Sequence, residues 1–241
     1  MTLPDLQGCY RLAGKVIPWL LRAALVLFII GLYLGFFESK NPAWEGYAYR
    51  IMFIHVPSAW LSLFLCVLMA VMSGIGLFSK HLHAYILAQA IAPTGAVMAV
   101  VALFSGAFWG RPAWGFYWTW DARLISELLL LILYLGVIAL HASIKDLNRA
   151  DRFVGVINLL GMALVPIVYH SAEWWNTQHQ GITIAGNGAP LPSAFWLALV
   201  FMVLSGLLYV TGVILARSRS IILERERRKD WTHEAALEGT L

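Results

Sequence analysis

Six runs of about 20 apolar residues, at about 16–37, 56–78, 84–108, 122–144, 153–169 and 193–216, dominate this 241-residue chain. A run of that length spans the hydrocarbon core of a bilayer as a helix. Lipid offers no partner to an unpaired backbone group, so each run must satisfy its own amides internally, as a helix does. The sequence therefore predicts an all-α polytopic membrane protein, a single six-helix domain over residues 1–241. With 60% hydrophobic and 12% charged residues, the composition excludes an ordinary soluble domain. The first run is long and lacks a small-residue cleavage site, which marks a retained helix rather than a removed signal peptide.

Charge sets the orientation. With the N terminus inside, the cytoplasmic segments carry Arg11, Lys15, Arg22, Lys80, Lys145, Arg149, Arg152, Arg217, Arg219, Arg225, Arg227, Arg228 and Lys229, leaving Lys40, Arg50, Arg111 and Arg123 of the 17 basic residues outside. Positive charge collects in cytoplasmic loops, so both termini are expected there. This asymmetry explains the basic excess without a nucleic-acid partner. A cytoplasmic C-terminal tail is expected over about 217–241, in which Glu224-Arg-Glu-Arg-Arg-Lys229 extends the last helix as a solvated segment along the membrane. Cys9 and Cys66 are about half a bilayer apart, so no disulfide and no outer Cys-x-x-Cys redox pair is expected. Pro93 and Pro166, inside spans, predict modest kinks.

Inner turns are short, whereas the outer loops, about 38–55, 109–121 and 170–192, are longer and aromatic. Function is expected on that face. The segment 109–123 holds Trp109, Trp114, Trp118 and Trp120 with Arg111, Asp121 and Arg123. Interfacial anchoring accounts for one or two indoles. Four among charges and glycines suit a large, flat, anionic ligand, with porphyrin the first candidate. With Trp44, Trp60, Trp174, Trp175 and Trp196, that face takes nine of the eleven tryptophans, about half of them read as ordinary belt residues. Helical spacing aligns Trp114, Tyr117, Trp118 and Asp121, alternation aligns Phe116, Trp118 and Trp120, and the sequence does not choose.

His55 opens the second span and His170 closes the fifth, both at the outer boundary. Imidazole is a common axial ligand of haem iron, and two from different helices suit the opposite faces of one macrocycle. The competing reading is a pair of interfacial histidines bonded to backbone or water. Arg50, Arg111 and Arg123 are candidates to pair with haem propionates. Arg123 has an equal claim to a local pair with Asp121 or with Glu127 one turn on, and Asp121 to orienting an indole or an arginine. His81, His83 and His141 read as anchors at the cytoplasmic boundary, His179 as a spare ligand in the last outer loop, and His233 as solvent-exposed.

The pattern Trp109-Gly-x-x-x-Trp-Gly-x-x-Trp-x-Trp-Asp-x-Arg-Leu124 resembles the tryptophan-rich "WWD" signature of haem-handling membrane proteins. With His55-Val-Pro57, Tyr169-His-Ser171 and six spans, the whole chain resembles the haem exporter protein C (CcmC) family of bacterial cytochrome c maturation. The resemblance implies a multi-pass protein of the bacterial inner membrane. It implies non-covalent b-type haem, held at the periplasmic face between His55 and His170 beside the loop tryptophans and delivered to a membrane-anchored periplasmic haem chaperone. It also implies partners: an ATP-binding-cassette ATPase, its membrane subunit and a small single-span protein. The chain has no Gly-x-x-x-x-Gly-Lys-[Ser/Thr] loop, so ATP hydrolysis is assigned to a partner and no enzymatic activity to this chain.

Two other functions compete with haem delivery. A transmembrane b-type cytochrome needs further ligands, and His81, His83 and His141 cluster poorly for that. A cofactor-free permease or scaffold subunit is disfavoured by the charge-free interiors of most spans.

Overall fold

In a computed structural model, which describes residues 5–39, 48–175, 177 and 193–237, the apolar runs form helices α1 (Leu6–Tyr33), α2 (Met52–Ser79), α3 (Leu82–Trp114), α4 (Ala122–Ser143), α5 (Leu147–Gly161), α6 (Leu164–Trp174) and α7 (Ser193–Glu226), followed by a short α8 (Asp230–Leu237). Trp44, Lys40 and His179, residues 40–47 of the expected loop 38–55, most of the expected loop 170–192, and the side chain of His233 lie outside the described residues. With α5 and α6 in one span, six helical segments are long and apolar enough to cross a membrane. No strand occurs among the described residues.

The core lies among α2, α3 and α4, where Leu65, Cys66, Met69, Ala90, Ile91, Leu130 and Tyr134 are buried. Lipid chains are as apolar as leucine, so membrane helices associate through close packing and interhelical hydrogen bonds. Both devices are present. Alanines 88, 92, 96 and 99 are buried on α3 and let its backbone approach its neighbours. Tyr134 Oη donates to the Ser62 carbonyl at 2.7 Å, and Asn158 Nδ2 donates to Ser73 Oγ at 2.9 Å, tying α4 and α5 to α2. Short turns join α2 to α3 and α4 to α5, and both pairs pack together. The first helix packs against the last long helix, α7, where Ser205 Oγ donates to the Ala24 carbonyl at 2.8 Å.

Two expectations need correction, at the two ends of the chain. Helix α1 begins at Leu6, so Arg11 and Lys15 sit on a continuous helix that extends well before residue 16. Between them, in the fifth span, Met162 and Ala163 separate α5 from α6 yet keep a right-handed helical backbone, with Val165 N bonded to the Met162 carbonyl at 3.0 Å. Proline has no amide hydrogen, so Pro166 cannot bond that carbonyl; α3, by contrast, continues as one helix through Pro93. The C-terminal segment is not a straight solvated extension. Beyond Glu226 the chain turns, and Trp231 of α8 docks on Tyr10 with ring centroids 5.5 Å apart while its Nε1 donates to Glu226 at 2.9 Å.

Candidate functional site

The C-terminal end of α3 and the N-terminal ends of α2 and α4 meet at one end of the bundle, the aromatic end. The tryptophan-rich segment is neither wholly helical nor extended. Its first half, through Trp114, is the last part of α3. Gly115 then adopts φ +87°, a left-handed conformation that costs glycine little, and its amide bonds the Arg111 carbonyl at 3.0 Å to close the helix. The chain bends through Phe116 and Tyr117 and reaches Asp121, which caps α4 by accepting from Leu124 N at 3.0 Å. Such a cap typically contributes about 1 kcal/mol. The capping bond gives Asp121 a structural role beside any part in orienting an indole or arginine.

Of the residues singled out in the sequence, His55, Trp109, Trp114 and Arg123 line one small cavity together with Glu127. Its volume of about 40 Å³ admits water-sized occupants only. His55 Nδ1 lies 3.0 Å from the Ala102 carbonyl and 3.1 Å from Ser105 Oγ. A carbonyl only accepts, so Nδ1 carries the proton and Nε2 the lone pair of the neutral ring. Gly106 permits this seat, since a Cβ there would stand 3.0 Å from the imidazole Cε1.

His170, on α6, does not line that cavity, but Arg123 bridges the two places by donating to the Val168 carbonyl, two residues before His170. The His170 ring stacks on Trp174 with an interplanar angle of 15° and centroids 5.2 Å apart. Its Nδ1 lies 2.9 Å from Glu173 Oε2. A carboxylate behind an imidazole fixes the tautomer and the orientation of the ring. The two histidines thus share one arrangement: Nδ1 is held by an acceptor and Nε2 is the basic atom.

Around them Trp109 is packed into the bundle, whereas Phe116, Tyr117 and Trp120 are displayed. Trp118 and Trp120 meet edge to face at 5.5 Å, and Trp120 is 75% exposed. The Trp118 indole N–H is buried with no acceptor among the described residues, an orphan donor of the kind usually satisfied by a ligand or water. Arg111 donates to the Gly115 carbonyl and stacks over Tyr117, with its guanidinium carbon 5.7 Å from the ring centroid. Arg50, in a 3₁₀ turn over Ala48–Ile51, lies 5.8 Å above the Phe36 ring. Arg50 and Arg111 stand outside the cavity, as do Trp118, Trp120 and Asp121.

Sequence reasoning named Glu127 only as a local partner of Arg123 and missed Glu173 altogether. Glu127 is 5% exposed. It points to α2 and not only along its own helix: Ser62 Oγ donates to Oε1 at 2.8 Å, and Oε2 has no hydrogen-bond partner among the described residues. An acid within an apolar run was the signal. Glu173, three residues after His170, was visible as a helical neighbour.

At the opposite, basic end the structure overturns the anchoring role of His141. Its Nε2 lies 3.0 Å from Asp151 Oδ1, and Arg225 clasps the same carboxylate at 2.7 and 2.9 Å while also reaching Gln89 Oε1 at 3.1 Å. All three side chains are buried or nearly so.

The profile of the Heme exporter protein C family matches residues 2–233. Heme exporter protein C of Escherichia coli K12 is 40% identical over 228 residues, 95% of this chain and 92% of the relative. That of Bradyrhizobium diazoefficiens is 40% identical over 232 residues, 95% of this chain and 88% of the relative. A ccmC-like mitochondrial cytochrome c biosynthesis protein of Marchantia polymorpha is 33% identical over 198 residues, covering 82% and 84%. With a profile match along nearly the whole length and relatives this similar, the chain belongs to the haem exporter protein C family.

Proposed function

We propose that this chain serves cytochrome c maturation by holding haem at the aromatic end of the bundle and passing it to a periplasmic haem chaperone. The observation that carries the reading is the shared setting of His55 and His170, each with Nδ1 held by an acceptor and Nε2 left as the basic nitrogen. Both Nε2 atoms ligate the iron. Trp109, Trp114, Trp118 and Trp120 shield one porphyrin edge, while Arg50, Arg111 and Arg123 supply positive charge for the propionates.

A cavity of about 40 Å³ cannot enclose a tetrapyrrole, so haem seats against the outer surface and displaces the segment after Gly115. A site that must open to load is also one that can release. Transfer exchanges an imidazole of this chain for a ligand of the chaperone. The aromatic end faces the periplasm, the protein resides in the bacterial inner membrane, and ATP is hydrolysed by an ATP-binding-cassette partner acting with its membrane subunit and a small single-span protein.

The test is the visible spectrum of haem bound to the purified protein. His55→Ala and His170→Ala are each expected to abolish bis-imidazole ligation and to lower haem content. Wild-type ligation and content in both variants end the proposal.

A further inference from the structure

A cavity of about 650 Å³ at the basic end lies between α3, α4, α5 and α7. It belongs to a different place from the aromatic site. Gln89 lines it and Gly106 lines the other; at 1.5 Å per residue along α3 the two are about 25 Å apart. The volume falls in the range that encloses a small-molecule ligand.

Its walls are amphipathic. Ala92, Pro93, Val137, Ile138 and Val154 supply an apolar interior, whereas Lys145 and Arg217 stand exposed at its rim. The acids nearby do not cancel those cations. Asp151 is already clasped by Arg225 and His141, and Glu224 is the one carboxylate that lines the cavity. Neither Lys145 nor Arg217 closes an ion pair among the described residues.

A second observation points to an occupant. Asn158 lines the cavity and is 1% exposed; its Nδ2 is bonded to Ser73, but Oδ1 has no hydrogen-bond partner among the described residues. A buried amide oxygen left unmatched is costly. The oxygen is buried behind the cavity wall, so an occupant meets it when the side chain turns toward the cavity.

We propose that this cavity is a binding site for an amphipathic anion, its apolar body between α3, α4 and α5 and its acid group at Lys145 and Arg217. A tetrapyrrole carboxylate and an anionic phospholipid share that chemistry. The tetrapyrrole source rests on the haem-handling reading above, and the lipid source does not.

The experiment uses the full chain carrying His55→Ala and His170→Ala, so that the aromatic site does not contribute. Haemin is titrated by its absorption change, and phosphatidylglycerol is quantified after exchange from mixed micelles. Two kinds of variant are added: the charge reversal Lys145→Glu with Arg217→Glu, and Ala142→Trp, an exposed cavity-lining position where a bulky ring blocks the mouth without altering charge. The expected result is that one probe binds and that both variants weaken it at least tenfold. Haemin identifies the tetrapyrrole source and phosphatidylglycerol the lipid source.

Binding of neither probe overturns the proposal. So does binding that neither variant weakens, and so does a loss with the charge reversal but not with Ala142→Trp, which marks adsorption to surface charge. Because the aromatic histidines are already absent, the result does not depend on whether they ligate iron.

Discussion

The two ends of the bundle present their polar groups differently. At the basic end, Asp151 receives both Arg225 and His141 within 3.0 Å, and this cluster is closed off from solvent, although Arg225 Nε, His83 Nε2 and Asn158 Oδ1 are unmatched there among the described residues. At the aromatic end, the histidines are half-buried, Trp120 is exposed, and the Trp118 N–H and Glu127 Oε2 are left unmatched. Paired, buried charges hold helices in place, whereas half-buried histidines and an exposed indole stand where a partner can reach them. The contrast separates a structural clasp from a binding surface, although both consist of ionisable residues near helix ends.

Breaking the clasp gives the largest expected effect. Arg225→Ala leaves Asp151 buried with only His141 to balance it, and removing one member of a buried pair typically costs about 3–5 kcal/mol. The thermal unfolding midpoint in detergent is expected to fall sharply, while the axial ligation of haem bound by the folded fraction stays as in wild type. A wild-type midpoint would mean that the clasp contributes nothing to holding α5 and α7. Loss of ligation in folded protein would mean that the two ends are coupled.

Sharpening the contrast at the aromatic end calls for a smaller change. Glu173→Gln keeps the size of the side chain but removes the carboxylate behind His170. Outer-shell partners of this kind are worth about 10–100-fold in metal affinity. Haem retention is expected to fall by about that factor with little change in the unfolding midpoint, measured by competition with an apo haem-binding protein. Unchanged retention would leave Glu173 as a surface ion-pair partner.

The six spans were legible because hydropathy accumulates along a local window, and a run of twenty apolar residues has few alternatives. His55, Trp109, Trp114 and Arg123 were legible as a group because each stands at an element end beside charge. What escaped was pairing at long range. His141 looked like an interfacial anchor because its partner lies across a turn and Arg225 lies 74 residues beyond that partner. The docking of α8 on α1 was hidden for the same reason, since it joins the two termini. The conformation of 109–121 was undecided because helical and alternating patterns overlap there; Gly115 resolves it by ending α3.

The smallest change in stability is expected at Trp120. With three-quarters of its surface exposed, its contact is an edge-to-face meeting with Trp118, so Trp120→Ala removes little buried area. Substitutions at such positions usually shift stability by less than about 0.5 kcal/mol. An exposed indole kept only as a membrane anchor would, when truncated, lower the amount of protein in the membrane and leave haem transfer per molecule unchanged. An indole that roofs a porphyrin would do the reverse. We expect normal membrane content and a normal unfolding midpoint, with haem delivery to the chaperone reduced per molecule of protein. Measuring both quantities in one preparation separates the two roles, because an anchor and a roof predict changes in different ones.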